Sequence, residues 1–400
     1  MAESAGWSSL PSDLVNRIAD CLLATNDVDY YMDLRAVCST WRRATDDPKN
    51  NPDPRFRPSR WIVIDEVRYS LPVQRSTPLL VNTATGRILR KDLPMLRGYF
   101  LVATTPGGFF VLADRNPPHA ACVLNPFTGY LIRFMAPMTT HLKFKTPAAA
   151  VTGSPPTLVL FCDEDRTMHT ADPHSGSFNV YGDEYPYKRL ALMGMIYTGN
   201  DVGDKIFDLM ASFNVHPSEM LPVYPFDDFG SLLERRHTDR CFLVESAGEV
   251  LMIFKLQQRI EIFKVDNNGR SAPEPVKSIG NRAIFLGYRQ CLSVNADKFQ
   301  SVETNCIYYV KCVDSCLSIY KYDLNDEKEE IISGAINSLN HVWLSDAEPP
   351  FTIIQLLSSY TLSSDESNRF EGVPDDILIP YVQDSEFFSS FLEDLEFEDD

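Results

Sequence analysis

Long hydrophobic runs are missing from this chain of 400 residues. No stretch approaches about 18 consecutive apolar residues, the length a membrane-spanning helix needs, so no membrane association is expected. Met1 to Leu10 lack the basic start and apolar run of a secretory leader, and no Asn-x-Ser/Thr acceptor site occurs. Basic residues are scarce: 37 Lys and Arg face 55 Asp and Glu, for a formal net charge of -18. A phosphate backbone is held by clustered cations that release its counterions, so nucleic acid is not an expected partner. Nine cysteines, an odd number, are scattered through apolar contexts such as Leu160-Phe161-Cys162 and Asn305-Cys306-Ile307. That pattern reads as reduced, buried thiols rather than a disulfide framework, and points to the cytoplasm or nucleus.

The signatures of chemistry are also missing. Neither standard Gly-rich phosphate loop is present, nor a Gly-x-Ser-x-Gly elbow, so no cofactor and no catalytic residue is expected. Cys312 and Cys316, with Cys306 nearby, resemble half a zinc site, but a matching His or Cys pair is absent and the segment alternates like a strand; no metal is expected there. His169 and His174 flank a predicted turn and read as solvent-facing. Asp163, Glu164 and Asp165 read as a solvated strand-end loop.

What is present begins with helices. Leu10-Pro11-Ser12-Asp13-Leu14 opens a segment in which proline suits a first helical turn and Asp13 complements the helix dipole. Leu14, Ile18 and Leu22 then recur every four residues on one face. A second pattern runs from about Val28 to Ala44, with Asn26 or Asp27 as its cap and Leu34, Val37, Cys38 and Trp41 as its stripe. Arg35, Arg42 and Arg43 lie off that stripe. A module this small is marginal alone, so its apolar surface must meet either the rest of the chain or a partner.

Leu10-Pro11, Asp13-Leu14, Ile18, Leu22, Arg35-Ala36-Val37-Cys38 and Trp41-Arg42 resemble the F-box signature over residues 7 to 44. In that family the helices pack on the Skp-type adaptor of a Skp–cullin–F-box ubiquitin ligase. The resemblance therefore implies an adaptor face of Leu10, Pro11, Leu14, Ile18, Leu22, Leu34, Val37, Cys38 and Trp41. The stretch between Leu22 and Leu34 is about one helical turn longer than in the shortest members, which bears on Tyr30, Tyr31 and Met32.

Residues 47–60 contain Pro48, Pro52, Pro54 and Pro58 and read as a stiff linker after a helical module at 1–46. Beyond it come short runs rich in β-branched and aromatic residues, such as Trp61-Ile62-Val63-Ile64, Phe109-Phe110-Val111-Leu112 and Val250-Leu251-Met252-Ile253-Phe254. Long amphipathic helices do not separate them, so a βαβ architecture is not expected. Turn signals recur at Asn82-Thr83-Ala84-Thr85-Gly86, Asn125-Pro126-Phe127-Thr128-Gly129, Asp172-Pro173-His174-Ser175-Gly176, Asp266-Asn267-Asn268-Gly269 and Asp323-Leu324-Asn325. Their leading residues are 43, 47, 94 and 57 apart, and the gap of 94 is two periods with a degenerate copy near Pro217-Ser218-Glu219. A period in the forties predicts a β-propeller over 61–360; the fold class is α+β, a helical module followed by a mainly-β domain.

Leu243-Val244-Glu245-Ser246, Gly248-Glu249-Val250-Leu251, Ala283-Ile284-Phe285-Leu286-Gly287, Ser293-Val294-Asn295-Ala296, Asn305-Cys306-Ile307-Tyr308-Tyr309 and Ile319-Tyr320-Lys321-Tyr322-Asp323 resemble a large plant F-box family with a C-terminal β-propeller of unassigned role. That resemblance implies a non-catalytic substrate receptor whose helices reach the adaptor, and through it a cullin, while the β domain captures an unknown target protein. Propellers bind through rim loops, and the segment 216–237, with Pro222, Tyr224, Phe226 and Phe229, is the stiff aromatic loop expected to do so; a turn at Arg115 to His119 is a shorter second candidate. Residues 361–400 hold thirteen Asp and Glu against the single Arg369, interleaved near the end with Phe387, Phe388, Phe391, Leu392, Leu395 and Phe397. This composition predicts a disordered acidic tail, and it keeps open an alternative reading in which the protein is a scaffold or transcriptional regulator recruiting partners through it.

Overall fold

The computed structural model describes residues 7–361 apart from 26, 52, 65–77, 140–147, 154, 163–166, 182–187, 193–194, 203–205, 213–220, 225–239, 256–258, 266–273, 288–289, 314–315, 336–337, 340–341 and 344–350. Helices α1 (Ser12–Ala24), α2 (Val28–Val37) and α3 (Ser39–Ala44) form the amino-terminal module. Its core is Val15, Ala19 and Leu23 from α1 against Tyr31, Leu34, Trp41 and Phe56.

Strands follow in groups. The first sheet holds β1 (Trp61–Ile64), β2 (Leu79–Asn82) and β3 (Ile88–Arg90). The second holds β4 (Tyr99–Thr104), β5 (Phe110–Asp114), β6 (Ala120–Leu124) and β7 (Leu131–Pro137). The third holds β8 (Ala148–Thr152), β9 (Thr157–Cys162), β10 (Thr167–Ala171) and β11 (Asn179–Tyr181). The fourth holds β12 (Lys188–Leu192), β13 (Met195–Val202), β14 (Ile206–Ser212) and β15 (Leu221–Tyr224), and the fifth β16 (Arg240–Ser246), β17 (Glu249–Lys255), β18 (Ile260–Val265) and β19 (Glu274–Val276). The sixth holds β20 (Arg282–Leu286), β21 (Leu292–Asn295), β22 (Cys306–Val313), β23 (Cys316–Asp323) and β24 (Lys328–Gly334) in the order β21-β20-β22-β23-β24, with β20 and β22 parallel. A hairpin of β25 (Ser338–Leu339) and β26 (Val342–Trp343) and a last helix, α4 (Ile353–Thr361), complete the described residues.

Neighbouring sheets pack face to face, and the middle strands whose burial is described are buried and read as unbroken apolar runs rather than alternating ones. Trp61 and Leu80 of the first sheet meet Phe110 and Leu124 of the second. Val111 and Val123 of the second meet Leu158 and Leu160 of the third. Phe242 and Ile253 of the fifth meet Ile284 and Ile307 of the sixth. The sixth sheet returns onto the first, with Phe285 and Tyr308 against Ile62 and Val81, and α4 closes that seam with Ile354, Leu357 and Tyr360. The last strands β3, β11 and β19 are largely exposed.

Because strands alternate in direction, turns alternate between two rims. The lower rim carries 82–86, 105–108, 125–129, 172–175 and 247–248; the upper rim carries 91–98 and 115–119. Those of the recurring Asn/Asp turns that are described, led by Asn82, Asn125, Asp172 and Asp323, join the last two strands of a sheet on the lower rim, and the one at 266–269 lies outside the described residues. The missing copy near residue 217 falls between β14 and β15, at the equivalent place in the fourth sheet, although 213–220 itself lies outside the described residues. In two of these turns the chemistry is identical. The Asn82 side-chain oxygen accepts from the backbone N–H of Ala84 and Thr85, both at 3.0 Å. That of Asn125 accepts from Phe127 at 3.0 Å and Thr128 at 3.3 Å. Gly86 takes φ +74, and a Cβ there would come within 2.2 Å of the Lys298 carbonyl oxygen, so this glycine lets the first sheet close on the sixth.

The proline-dense segment 47–60 is not a bare spacer. It folds into two short 3-10 turns, Pro48–Asn50 and Pro54–Phe56, each capped by an aspartate before it, Asp47 and Asp53. Phe56 is buried in the helical core, 5.3 Å from the Tyr31 ring centroid, while its carbonyl accepts from Asn125 Nδ2 at 2.7 Å. The segment therefore ties the helices to the lower rim. At the opposite rim, Gln355 Nε2 of α4 donates to the Gly334 carbonyl at 3.0 Å. A Cβ on Gly287 would come within 2.0 Å of the Thr361 carbonyl oxygen.

Candidate functional site

Among the described residues no group of three or more His, Cys, Asp or Glu could hold a metal ion, and no helix is long and apolar enough to cross a membrane. The Cys306 thiol is buried and pushed up to about 12 by that burial, far from a reactive thiolate. His169, expected at the surface, is buried, with Nε2 3.0 Å from Thr167 Oγ1; it sits mid-strand in β10, not at a hairpin tip. His174 is exposed as expected. Asp163, Glu164 and Asp165 lie outside the described residues.

Two surfaces remain. The first is on the helices. α1 carries two apolar stripes, and the structure turns Val15, Ala19 and Leu23 inward. Leu14 and Ile18 are left 40% and 37% exposed, and Val37 at the end of α2 is 58% exposed. Pro11 is exposed, and Leu10, Leu22 and Cys38 are half-buried. Leu34 and Trp41 depart from the expectation: both are buried in the module's core, where Trp41 Nε1 donates to the Trp7 carbonyl at 3.2 Å. They shape the face from below and cannot themselves be touched by a partner. Cys38 caps α3, its Sγ accepting from Trp41 N at 3.4 Å.

Arg35, which falls off the apolar stripe, is buried too. Its Nη1 donates to the carbonyls of Thr45 at 2.7 Å and Arg42 at 3.2 Å and to Thr45 Oγ1 at 3.0 Å. Five fixed donors make arginine suited to collecting the orphan carbonyls at a helix end. Burial, partly offset by Arg35, raises the Tyr31 phenol, whose hydroxyl donates to the Asp46 carbonyl at 2.7 Å.

Asp27 and Asp29 begin α2 but cap nothing; both turn to the first sheet. Arg87, just past the Asn82 turn, lies 3.1 Å from Asp27 and 2.8 Å from Asp29, with its guanidinium 3.9 Å from the Tyr30 ring centroid. Burial works against the Arg87 charge, but the two carboxylates outweigh it and raise its pKa. Lys91 also pairs with Asp29. Val28 and Met32 pack with Leu89, Phe127 and Leu131 beside this cluster.

The second surface is the upper rim. The expected loop at 216–237 is interrupted by β15, in which Pro222 pairs with Met210 and Tyr224 with Leu209. Pro222 and Tyr224 therefore belong to a strand rather than a loop, and the flanking stretches 216–220 and 225–237 lie outside the described residues. Phe226 and Phe229 lie outside the described residues. The 115–119 turn is described: it contains a cis peptide between Pro117 and Pro118, and His119 Nδ1 lies 2.9 Å from the Asp114 carbonyl.

Blades of short antiparallel strands packed in sequence order, with the last returned onto the first, define a β-propeller carrying an amino-terminal helical module. Residues 80–334 match the KIB1-4 beta-propeller family, and the chain belongs to that family. No curated protein matches it. Solved structures resemble it only remotely. A nidogen/laminin complex is 10% identical over 64% of this chain and 90% of that one, with a TM-score of 0.30. An acylaminoacyl peptidase from Pyrococcus horikoshii is 10% identical over 64% of this chain and 41% of that one, with a TM-score of 0.30. A putative 6-phosphogluconolactonase from Bacteroides uniformis is 10% identical over 67% and 81%, with a TM-score of 0.32.

Proposed function

We propose that this protein is the substrate receptor of a Skp–cullin–F-box ubiquitin ligase, non-catalytic in itself, whose helices dock the Skp-type adaptor while the propeller holds a target protein. The observation that carries the reading is the exposed stripe of Leu14, Ile18 and Val37 on a helical module whose core is already filled by other residues. Among the described residues the helices meet the propeller through Val28, Met32 and the Phe56 carbonyl instead, and the stripe stays exposed. An apolar strip left open beside Leu10, Pro11, Leu22 and Cys38 is the surface a partner covers, and the F-box signature names the adaptor as that partner. The helices sit on the lower rim, which leaves the upper rim to the target.

The test is co-purification with the adaptor. Leu14→Asp with Val37→Asp is expected to abolish capture while leaving the thermal midpoint within about 2 °C, because both residues are exposed. Trp41→Ala is expected to cost about 3–5 kcal/mol of stability and to lose capture only through unfolding. Undiminished capture by the Leu14→Asp, Val37→Asp protein would remove the reading.

A further inference from the structure

One stretch of sequence takes no part in that reading, and its chemistry matches a patch of the upper rim. Residues 78–150 carry eight Lys and Arg against two Asp, in a chain of net charge -18. Three of those arginines meet on the upper rim of the second sheet. Arg115 N donates to the Gly98 carbonyl at 3.1 Å, which sets the 115–119 turn against the 3-10 turn Pro94–Gly98. Arg97 and Arg115 are exposed and have no ion-pair partner among the described residues, and the Arg115 guanidinium lies 4.6 Å from the Phe100 ring centroid. Arg133 reaches the Tyr99 hydroxyl at 2.9 Å and Asp114 at 3.6 Å. Met95 and Leu101 are exposed beside them. An arginine laid on an aromatic ring, with further arginines and exposed Met and Leu beside it, has the composition of an interface core.

We propose that residues 387–400 of this same chain occupy that patch. They hold six Asp and Glu and no Lys or Arg, interleaved with Phe387, Phe388, Phe391, Leu392, Leu395 and Phe397. The carboxylates meet Arg97, Arg115 and Arg133, and the phenylalanines meet Met95 and Leu101. The starting point favours contact in cis: Thr361 lies against Gly287 on the upper rim, and α4 touches β1 of the first sheet, which adjoins the second. The tether 362–386 is 25 residues long and spans about 25–30 Å as a coil and about 80 Å when extended, enough to cross one sheet. The upper rim is then covered by the protein's own acidic segment, which a target must displace. Adaptor docking occupies the opposite rim, so either idea can fail without the other.

Hydrogen exchange of the full chain tests this. In low salt, amides of 387–400 are expected to exchange about tenfold more slowly than in full-length Arg97→Glu, Arg115→Glu protein. Raising salt to about 0.5 M should release them in the wild type, since exposed ion pairs are then screened. Lys277→Glu, an exposed reversal elsewhere, should leave the protection in place. Equal exchange in wild type and double variant overturns the proposal, as does protection that survives salt. Protection that rises with protein concentration overturns it as well, because it assigns the contact to a second copy.

Discussion

Cys306 and Tyr308 are adjacent alternate residues at the start of β22, and both are buried in the seam between the sixth and first sheets. Burial pushes the thiol from 9.0 to about 12 and the phenol from 10.0 to about 12. In the unfolded chain both would ionise at their ordinary values, so the folded state keeps protons that the unfolded state sheds. Their contribution is fully present below pH 9.0 and is lost as pH rises towards about 12. The denaturation midpoint is therefore expected to fall across that window, and Cys306→Ala with Tyr308→Phe to flatten the fall relative to the wild type. A parallel fall in the double variant would show that other groups control alkaline unfolding. Arg35 teaches a different lesson at the same scale. Its charge points to solvent in any sequence pattern, yet the carbonyls of Arg42 and Thr45 draw it inside; no periodicity encodes a helix end that needs donors.

Among the elements, the turns were the most legible part of the chain. Asn, Thr and Gly at fixed offsets specify a backbone path through local hydrogen bonds, so their spacing located the outer hairpin of the sheets before any packing was known. The α1 face was half legible: Leu14, Ile18 and Leu22 and Val15, Ala19 and Leu23 share one period, and only tertiary packing decides which stripe turns inward. The β15 strand was hidden by Pro222, which argues against a strand except at a sheet edge; β15 is an edge strand of its sheet, where the missing N–H costs nothing. Helix α4 was missed although it has a reciprocal cap: Thr352 N donates to Gln355 Oε1 at 2.8 Å and Gln355 N to Thr352 Oγ1 at 3.2 Å. The two equivalent turns also yield a comparison. Asn82 accepts two backbone bonds; Asn125 accepts two and donates a third, buried, to the Phe56 carbonyl. Asn125→Ala is thus expected to cost about 1–3 kcal/mol more than Asn82→Ala in equilibrium unfolding, as the stranded carbonyl adds its desolvation. Equal costs would mean that water replaces the lost donor.

For the whole molecule, the decisive contact is the one between α2 and the first sheet. Asp27 is 0% exposed and lies 3.1 Å from Arg87. Arg87→Ala is expected to cost about 3–5 kcal/mol by leaving buried Asp27 unpaired while Lys91 keeps Asp29, and Arg87→Lys to cost less, because an ammonium restores a charge beside Asp27 without the bidentate fork. Hydrogen exchange in α2 should rise before that of the propeller strands; simultaneous loss would show that helices and sheets unfold as one unit. With the helices clamped to the lower rim, the proposed adaptor face and the upper rim are held at a fixed bearing to one another rather than joined by a tether.

The seam between the first and sixth sheets has a consequence for the birth of the protein. Ile62 and Val81 emerge from the ribosome early, whereas Phe285, Tyr308 and the helix that covers them emerge last. Until residue 361 is free, every nascent chain presents a half-built wall of isoleucine, valine and phenylalanine, and at about 5–20 residues per second that interval lasts many seconds. Ribosome-bound chains released at residue 343 should accordingly remain protease-sensitive and recruit chaperones, whereas chains released at 361 should become resistant. Final closure then waits on the helix Ile353–Thr361, and until that helix arrives the open wall depends on being shielded by other molecules.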